Sequence, residues 1–379
     1  MRWWLIPLIA LGILGIFVVW PHREPEPKLV KPIAEVTPSK VEMRLLITGD
    51  VFWGRGIEYW ANRSELGYKW PFSGLKSFNR DQYNAWIGVI ECPITDSVLE
   101  YQRQVDELKF NCRPEYLRQA RKWFDAFTLG SNHTDNMEEI DGFSQTREYL
   151  EDSSIQYFGH FDNTISKDIC EVISLEADIY DDNKLLIDQQ LFPLAFCGFN
   201  NVYGLPPEDS MEAITPYAKP FLTIAMPQQG EEYQIAADNL KKKYYRAMVD
   251  AGADSVIGGQ PHVVQNSEVY EDKLIVYSLG NFIFDQRFDE EVTMGAAIDM
   301  QISLDYSEAE SWLDIAEECL KFKDKCLKLA ESSKPKFNIL YNIIAVDASG
   351  TVTRKGNKAL QQRVEQRTNW DASMDKLGQ

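Results

Sequence analysis

Short apolar runs alternate along this chain with helical patterns, and this alternation restricts the possible fold more than any other feature. Most runs are continuous and end in a polar or glycine-rich turn, which is typical of strands that are buried on both faces. They are MRLLITGD (43–50), AWIGVIEC (85–92), WFDAFTLGSNH (123–133), LFPLAFCGFN (191–200), FLTIAMPQQG (221–230), DSVIGGQPH (254–262) and LIVYSLGNFIF (274–284).

Helical patterns lie between these runs. Residues 114–124, 140–153 and 233–252 carry apolar side chains at helical spacing, and Gly252 ends the last of them. Alternating strands and helices predict an α/β layered fold.

The C-terminal third predicts additions to this fold. Residues 307–333 form a strongly amphipathic pattern, which indicates a helix packed on the rim of the domain. Residues 337–356 are typical of a β-hairpin or edge pair. We expect the main domain to span residues 43–356 and residues 357–379 to form a frayed C-terminal tail.

The N-terminus predicts a membrane anchor. The segment WWLIPLIALGILGIFVVW (3–20) carries no charge over eighteen residues and has tryptophan at its ends. It is long for a signal peptide and is not followed by a small-residue cleavage site. We therefore expect residues 1–20 to be an uncleaved transmembrane signal anchor. Residues 21–42, rich in proline and charge, are expected to tether it to the domain.

The six cysteines favour an oxidising compartment. Cys92 and Cys112 flank one segment and Cys170 and Cys197 another, so we predict these two disulfides and an extracytoplasmic domain. The alternative is that all six are small buried residues. Cys319 and Cys326 lie seven residues apart on a predicted helix. They would be about 10 Å apart along its axis, too far to pair without unwinding it.

Charge restricts the partners. The net charge of −19 argues against nucleic acid, which requires a basic face. An anionic polymer would have to be held by local cations.

Polar residues directly follow five of the predicted strands. In open α/β sheets, ligands bind outside the carboxyl ends of the strands. The residues at these ends are Asp50, Glu91, Asn132 with His133, Gln228 with Gln229, and Gln260 with His262.

Each of these residues also has a structural interpretation. Asp50 could bind a hard cation, or it could cap the next turn. Asn132 offers a neutral oxygen ligand and His133 a proton carrier, although both suit a polar turn. A histidine at one strand end, such as His262, is more often structural than a ligand. Only the combination of all five ends favours a site.

At these positions the chain resembles the CapA family, capsule-synthesis proteins linked to poly-γ-glutamate that share the calcineurin-like metallophosphoesterase fold. The matching stretches are GDVFWGR (49–55), IECPIT (90–95), LGSNHTDN (129–136), GEEY (230–233), AGADSVIGGQPHVVQ (251–265) and YSLGNFIFDQ (277–286). The resemblance covers about residues 43–290. It implies a layered α-β-β-α sandwich and is consistent with a membrane anchor.

The resemblance also implies roles for individual residues. Metal ligands would be Asp50, Glu91, Asn132 and His262, with Gln228 and Gln260 at two further ligand positions. His133 would face the substrate as a proton donor, with Asp50 helping to activate water or an acceptor. Arg55 would grip a carboxylate or phosphate, and Asn281 would also bind substrate. In related phosphoesterases, paired metals activate a water molecule.

Three residues depart from the family pattern. Gln228 and Gln260 each replace a histidine, and Val89 replaces an asparagine. Glutamine offers a neutral oxygen in place of imidazole, so such a site would prefer Mn²⁺, Mg²⁺ or Ca²⁺ to Zn²⁺, or would hold no metal.

Two functions follow from these observations. The first is a membrane-anchored, metal-dependent hydrolase or transferase that acts in the synthesis or processing of a surface polymer such as poly-γ-glutamate. The second is a non-catalytic subunit with a degenerate metal site that binds the polymer beside membrane-bound synthase subunits. The retained Asp50, Glu91, Asn132, His133 and His262 favour the first, and the two glutamines favour the second.

Overall fold

A computed structural model describes residues 37–379, except 98, 136–140, 203, 205, 206, 208, 209, 322, 331, 332 and the side chains of 323 and 324. The predicted anchor (1–20) and most of the predicted tether lie outside the described residues. In the part of the chain that is described, no helix is long and apolar enough to cross a membrane.

Strands and helices alternate through most of the described chain. The strands are β1 (Pro38–Val51), β2 (Ala85–Ile90), β3 (Ala126–Thr128), β4 (Gln156–Phe158), β5 (Cys170–Asp181), β6 (Leu186–Asn201), β7 (Thr223–Gln229), β8 (Ser255–Ile257), β9 (Ser267–Tyr270), β10 (Lys273–Val276), β11 (Asn281–Ile283), β12 (Met294–Asp305), β13 (Asn338–Asp347) and β14 (Arg354–Lys355). The helices are α1 (Arg55–Ala61), α2 (Tyr101–Asp106), α3 (Leu117–Ala120), α4 (Gly142–Asp152), α5 (Thr215–Ala218), α6 (Asn239–Asp250), α7 (Glu290–Thr293), α8 (Tyr306–Lys321), α9 (Lys323–Leu329), α10 (Lys358–Thr368) and α11 (Trp370–Leu377). Short 3-10 helices span Gly67–Lys69, Leu75–Phe78, Arg80–Gln82, Pro114–Tyr116 and Glu212–Ile214.

Strand β1 is the branch point of the sheet. It pairs with β12 in antiparallel orientation, with β5 at its start and, in parallel, with β2 and β11 toward its end. One branch continues through β2, β3 and β4, and the other through β5, β6, β7, β8, β10 and β9. Strands β13 and β14 extend the sheet beyond β12. Within the described residues, these strands form one hydrogen-bonded network.

Both faces of the central strands are buried, which explains their continuous apolar sequences. In β2, Ile87 packs into the cluster between the two branches, whereas Trp86 faces the cluster beneath α1, α3 and α4. In β7, Met226 belongs to the same cluster as Ile87, whereas Ala225 faces Tyr245 of α6. The predicted α/β architecture is confirmed as a mixed sheet with helices on its outer faces.

Parallel pairing brings the ends of several strands together. Val51 of β1 pairs with Ile90 of β2, and Val89 pairs with Thr128 of β3. Strands β6, β7 and β8 are also parallel neighbours. The polar residues that follow these strands therefore collect at one end of the sheet, as the sequence predicts.

The structure confirms two predicted disulfides and corrects one prediction. Cys92 is bonded to Cys112, and Cys170 is bonded to Cys197 across adjacent strands. Cys319 and Cys326, expected to pair only if the predicted helix is unwound, are also bonded. The expected single helix over 307–333 is divided into α8 and α9, so the two Cα atoms lie 4.7 Å apart and the sulfurs are bonded.

Both predicted domain boundaries also move outward. Residues 38–42, expected to be tether, already belong to β1 and pair with β5 and β12. The expected frayed tail (357–379) contains α10 and α11 instead. Asn357 caps α10, and the apolar residues Val364, Trp370 and Met374 are buried against the sheet.

Candidate metal and ligand site

A cavity of about 690 Å³ lies at the carboxyl ends of the strands. Its buried lining residues are Arg55, Phe110, His133, Gln260 and His262. The exposed part of its lining, which we call the mouth, includes Glu107, Glu231, Glu232 and Tyr233. We use "inner cluster" for Asp50, Glu91, Gln228, Gln260 and His262, all buried at this end of the sheet.

Asp50 is held in place by the crossing of two chain segments. Its N–H donates to the carbonyl oxygen of Gly280 at 3.1 Å, just before β11. A Cβ atom on Gly49 would lie 1.8 Å from the same oxygen, so only glycine fits before Asp50.

Glu91 lies deep in the inner cluster and is fully buried. Its Oε2 accepts a hydrogen bond of 2.5 Å from the Ser131 hydroxyl, which also accepts from the N–H of His133. Burial and the nearby Asp50 carboxylate raise the pKa of Glu91 to about 8. Without a counter-ion, Glu91 therefore holds a proton at neutral pH.

Several oxygens of the inner cluster accept no hydrogen bond. They are both carboxylate oxygens of Asp50, Oε1 of Glu91 and the side-chain oxygens of Gln228 and Gln260. Buried polar atoms of this kind are normally paired, and each unpaired one costs about 1–3 kcal/mol. Every atom in this group can donate electrons to a cation. The residues present therefore fit a divalent ion that prefers oxygen ligands.

His262 contributes the nitrogen of the inner cluster. Its Nδ1 lies 2.9 Å from Oδ1 of Asn281 and 3.3 Å from Oδ2 of Asp50. Burial opposes charge on the ring, but the Asp50 and Glu91 carboxylates outweigh it and raise the pKa of His262 to about 9. In the described residues, no three His, Cys, Asp or Glu side chains converge closely enough to form a metal-ligand group by themselves.

The turn that carries Gln260 and His262 has an unusual backbone. Gln260 has φ of +91° and His262 has φ of +60°, both in the left-handed region that ordinary residues avoid. Such strain, of order 1–3 kcal/mol, persists where the surroundings enforce it.

Lys241 helps to hold this turn. Its Nζ, at the start of α6, donates to the carbonyl oxygen of Gly259 at 3.2 Å and to Oε1 of Gln265 at 3.0 Å. The side chain is buried, and this burial shifts the pKa of Lys241 well below its usual value. Lys241 is therefore a structural support of the site.

His133 lies in the cavity wall, as predicted. Its ring stacks on Phe110 with 3.9 Å between centroids. Burial, together with the positive charges of His262 and Arg55, lowers the pKa of His133 to about 3. The ring is neutral at physiological pH, so the predicted role as proton donor stays a prediction.

Arg55 lies where the sequence predicts it, but its guanidinium is already engaged. Nε and Nη2 bind the two carboxylate oxygens of Asp285 at 3.2 and 2.6 Å, and Phe110 and Phe284 flank the group. A substrate anion would have to compete with Asp285 for the guanidinium group of Arg55.

Four predicted site residues are fully buried and do not line the cavity: Asp50, Glu91, Gln228 and Asn281. Asn281 contacts His262, and its predicted contact with substrate stays a prediction. Gln228 is also fully buried and packs against Gly259. Asn132 lines the cavity beside His133.

Sequence reasoning did not single out three residues of this region. Ser131 and Glu232 both lie inside stretches that match the family, but the resemblance assigns no role to either position. Glu232 reaches to 4.0 Å from Nε2 of His262. Lys241 begins a run of three lysines that looks like an exposed helix face, so only the fold reveals its burial.

The family profile "Bacterial capsule synthesis protein PGA_cap" matches residues 44–175 and 205–286, together more than half of the 379 residues. The chain therefore belongs to this family of bacterial capsule synthesis proteins.

Individual relatives agree with this assignment. The chain is 24% identical over 304 residues to a capsule biosynthesis protein CapA of Bacillus anthracis, which covers 74% of this chain and 67% of the relative. It is 41% identical over 96 residues to the PGA biosynthesis protein CapA of Bacillus subtilis (strain 168), covering 24% of this chain and 25% of the relative.

Two solved structures also match the chain at low overall similarity. The calcineurin-like phosphoesterase YfkN of Bacillus subtilis has a TM-score of 0.46 and 14% identity, covering 90% of this chain and all of that chain. The protein TT1561 of Thermus thermophilus has a TM-score of 0.36 and 9% identity, covering 68% of this chain and 94% of that one.

Proposed function

We propose that this protein acts in the synthesis or processing of a surface polymer such as poly-γ-glutamate, as a hydrolase or transferase that depends on a divalent cation. The observation that carries the proposal is the set of buried, unpaired oxygens in the inner cluster. Family membership supplies the capsule context.

Asp50, Glu91 and His262 would hold the cation, with the oxygens of Gln228 and Gln260 and the neighbouring Asn132 completing its ligands. Such a cation would polarise the substrate and activate a water molecule. The oxygen-rich ligand set favours Mn²⁺, Mg²⁺ or Ca²⁺ over Zn²⁺. His133, neutral and facing the cavity, would position an oxygen of the substrate by a hydrogen bond.

The charge of the mouth supports a cation requirement for polymer binding. Asp135, Glu231 and Glu232 lie around the opening, and Arg55 is neutralised by Asp285. A polyanion approaching alone would meet carboxylates, because like charges repel over several ångströms. A bound divalent cation would reverse the local charge at the inner cluster. We therefore expect polymer binding itself to require the cation.

We further propose that residues 3–20 anchor the chain in the membrane and that the folded domain is extracytoplasmic. The apolar N-terminal segment and the three disulfides support this location. The polymer and membrane-bound synthase subunits would then be available on the same side of the membrane.

A non-catalytic role in polymer binding is the second candidate. Two observations favour it: glutamines occupy two positions where the family resemblance places histidine, and the low pKa of His133 leaves its ring without the extra proton of a general acid at neutral pH. In this role the same cation would bridge the polymer carboxylates to the inner cluster, without turnover.

Cation binding is the first test. The full chain is dialysed against Mn²⁺, Mg²⁺, Ca²⁺ and Zn²⁺ in turn, and the bound metal is measured by elemental analysis. We expect one of the first three ions to bind, and Asp50→Asn to weaken binding more than about 100-fold, since even outer-shell partners of ligands account for 10–100-fold. The control is Asp299→Asn, which changes a buried carboxylate on β12 that is held by Arg44 of β1. A wild-type chain that binds none of the four ions would refute the proposal.

Polymer experiments then separate the two candidates. Poly-γ-glutamate is incubated with the loaded protein, with and without a chelator, and both binding and chain length are measured. Shortening or transfer of the polymer that the chelator abolishes supports the enzyme, whereas chelator-sensitive binding at constant length supports the binding subunit. Binding that is unaffected by the chelator would contradict the cation requirement in both.

A further inference from the structure

Asn281, predicted from the resemblance to contact substrate, does not line the cavity. It begins β11, pairs with Asp50 across the sheet and is fully buried. Its side-chain nitrogen and oxygen each have identified partners. These partners fix the orientation of the amide. The orientation in turn decides which nitrogen of the His262 ring carries a proton.

The orientation of the Asn281 amide follows from one backbone contact. One end of the amide lies 3.0 Å from the carbonyl oxygen of Val292, which can only accept. That end must therefore be Nδ2, and the opposite end, 2.9 Å from Nδ1 of His262, must be the oxygen. A flipped amide would bring two acceptors together at Val292, so this contact alone excludes it.

The tautomer of His262 follows in turn. Oδ1 of Asn281 only accepts, so Nδ1 of the ring must carry a proton. In the neutral ring, the lone pair then lies on Nε2. This nitrogen faces the mouth, where Oε1 of Glu232 lies 4.0 Å away.

The same amide connects the inner cluster to the mouth. The second hydrogen of Asn281 Nδ2 goes to Oε1 of Gln286 at 3.1 Å, and Nε2 of Gln286 donates to the Tyr233 hydroxyl at 3.1 Å. Each donor and acceptor in this chain is determined by the one before it, starting from Val292. The network therefore has one direction only.

We propose that Asn281 is a positioning residue, which fixes His262 in the tautomer protonated on Nδ1 so that Nε2 is the nitrogen presented to the cavity. Gln286 extends this control to Tyr233, so that the mouth and the ring are held by one chain of hydrogen bonds. The assignment of the tautomer concerns the protein alone. Only its consequence for metal affinity rests on the proposed cation site.

The tautomer can be measured directly in the wild-type protein. Two-bond ¹H–¹⁵N correlation spectra of the ¹⁵N-histidine-labelled chain distinguish the two nitrogens of each ring, and His262→Gln identifies the signals among the four histidines. At a pH above the measured titration of the His262 signals, where the ring is neutral, we expect the proton on Nδ1. A proton on Nε2 in the wild-type protein would overturn the proposal, whatever the variants do.

Variants then test whether Asn281 imposes the tautomer. In Asn281→Ala, we expect a substantial fraction of His262 to carry its proton on Nε2, because the closer acceptor for Nδ1–H is lost and only Oδ2 of Asp50, 3.3 Å away, remains. Asn281→Asp keeps that acceptor and should retain the wild-type tautomer even though its contact to Val292 becomes repulsive. The control is Gln361→Ala, which removes another amide that bridges two backbone groups, on β13. If Asn281→Ala folds and leaves the tautomer unchanged, Asn281 does not position the ring.

Metal affinity tests the consequence. Hydrogen-bond partners of a histidine ligand typically change metal affinity 10–100-fold, so we expect Mn²⁺ to bind Asn281→Ala about 10-fold or more weakly than wild type, and Gln361→Ala to be unchanged. Equal affinity of Asn281→Ala and wild type would refute this consequence. If the wild-type chain binds no cation, the proposed function fails, while the measured tautomer still decides the role of Asn281.

Discussion

The two ends of the parallel strands place acidic side chains in opposite environments. At the amino ends, Asp125 and Asp254 directly precede β3 and β8, and each accepts hydrogen bonds from a backbone N–H and from basic side chains. Asp125 accepts from the N–H of Trp86 and from Arg80, each at 2.8 Å. Asp254 accepts from the N–H of Thr223 and from two lysines. At the carboxyl ends, Asp50 and Glu91 keep oxygens without donors.

The presence or absence of hydrogen-bond donors separates structural carboxylates from those that are available to bind a ligand. An acid at an amino end can join a neighbouring strand to a nearby cation, as Asp254 joins β7 to Lys273 and Lys334. Asp50 and Glu91 instead have each other, His262 and the Ser131 hydroxyl, which do not supply donors for all of their oxygens, and the burial of these groups costs desolvation energy. The comparison predicts that equal substitutions at the two ends will have different effects.

The largest predicted effect is the loss of stability in Asp254→Asn. This change removes the charge that two ammonium groups share, and we expect it to lower the free energy of unfolding by about 3 kcal/mol. The matched change Asp50→Asn leaves no donor without its acceptor, and His262 can release its proton. We therefore expect it to cost less than about 1 kcal/mol in metal-free protein. Urea unfolding with constant m-values checks both numbers.

The relative stability losses of Asp254→Asn and Asp50→Asn decide whether Asp50 is a structural acid. An Asp50→Asn variant that is as unstable as Asp254→Asn would mean that Asp50 is a structural acid. The comparison between the strand ends would then lose its basis. Asp125→Asn, at the amino end of β3, serves as a second structural reference.

The next effect is a fall in the stability of metal-free protein as the pH rises from about 6.5 to 9. The pKa of Glu91 is raised to about 8 and that of His262 to about 9, so the folded state binds more protons than the unfolded state in this range. The stabilisation that comes from the protons on Glu91 and His262 is complete at low pH. It disappears as the pH rises past the two pKa values. His133, whose pKa is lowered to about 3, acts in the opposite direction only below about pH 6.5.

We expect a loss of roughly 2 kcal/mol across this range, measured by urea unfolding at several pH values. A saturating divalent cation should flatten the profile, since it replaces the protons of the inner cluster. The variant Glu91→Gln should flatten it in part without any metal. A wild-type profile that rises between pH 6.5 and 9 would contradict the proposed ionisation of both groups.

Much of the strand framework could be predicted from the sequence, because strands that are buried on both faces have continuous apolar sequences. Each of the seven predicted runs contains a strand. The collection of Asp50, Asn132 and His262 at one end followed from parallel pairing, which strand–helix alternation implies.

Features that depend on tertiary contacts could not be predicted. The pairing of Cys319 with Cys326 requires the break between α8 and α9, which the uniform amphipathic pattern conceals. Lys241 looks exposed in sequence because its burial depends on a turn eighteen residues away. Arg55 looks like a free cation until the fold brings Asp285 beside it, 230 residues further along the chain.

The smallest predicted effect concerns the metal preference of the inner cluster. Gln260→His restores the residue that the resemblance leads us to expect, on a turn that already holds a left-handed residue at this position. Imidazole suits Zn²⁺ better than an amide oxygen does, so we expect Zn²⁺ to bind at least about 10-fold more tightly, or about 1.4 kcal/mol. Competition titration with a Zn²⁺ indicator measures the change.

The control for this prediction is Gln229→His, on the same strand as Gln228. Gln229 contacts Asn201, on the neighbouring strand β6, and should not affect the metal. If both histidine variants raise Zn²⁺ affinity equally, the new imidazole acts as an adventitious ligand and the inner cluster is not the site. A gain confined to Gln260→His would show that the carboxyl ends of these strands retain the geometry of a metal site and that glutamine sets its preference. The unpaired oxygens of Asp50 and Glu91 would then be explained as ligands and not as defects of packing.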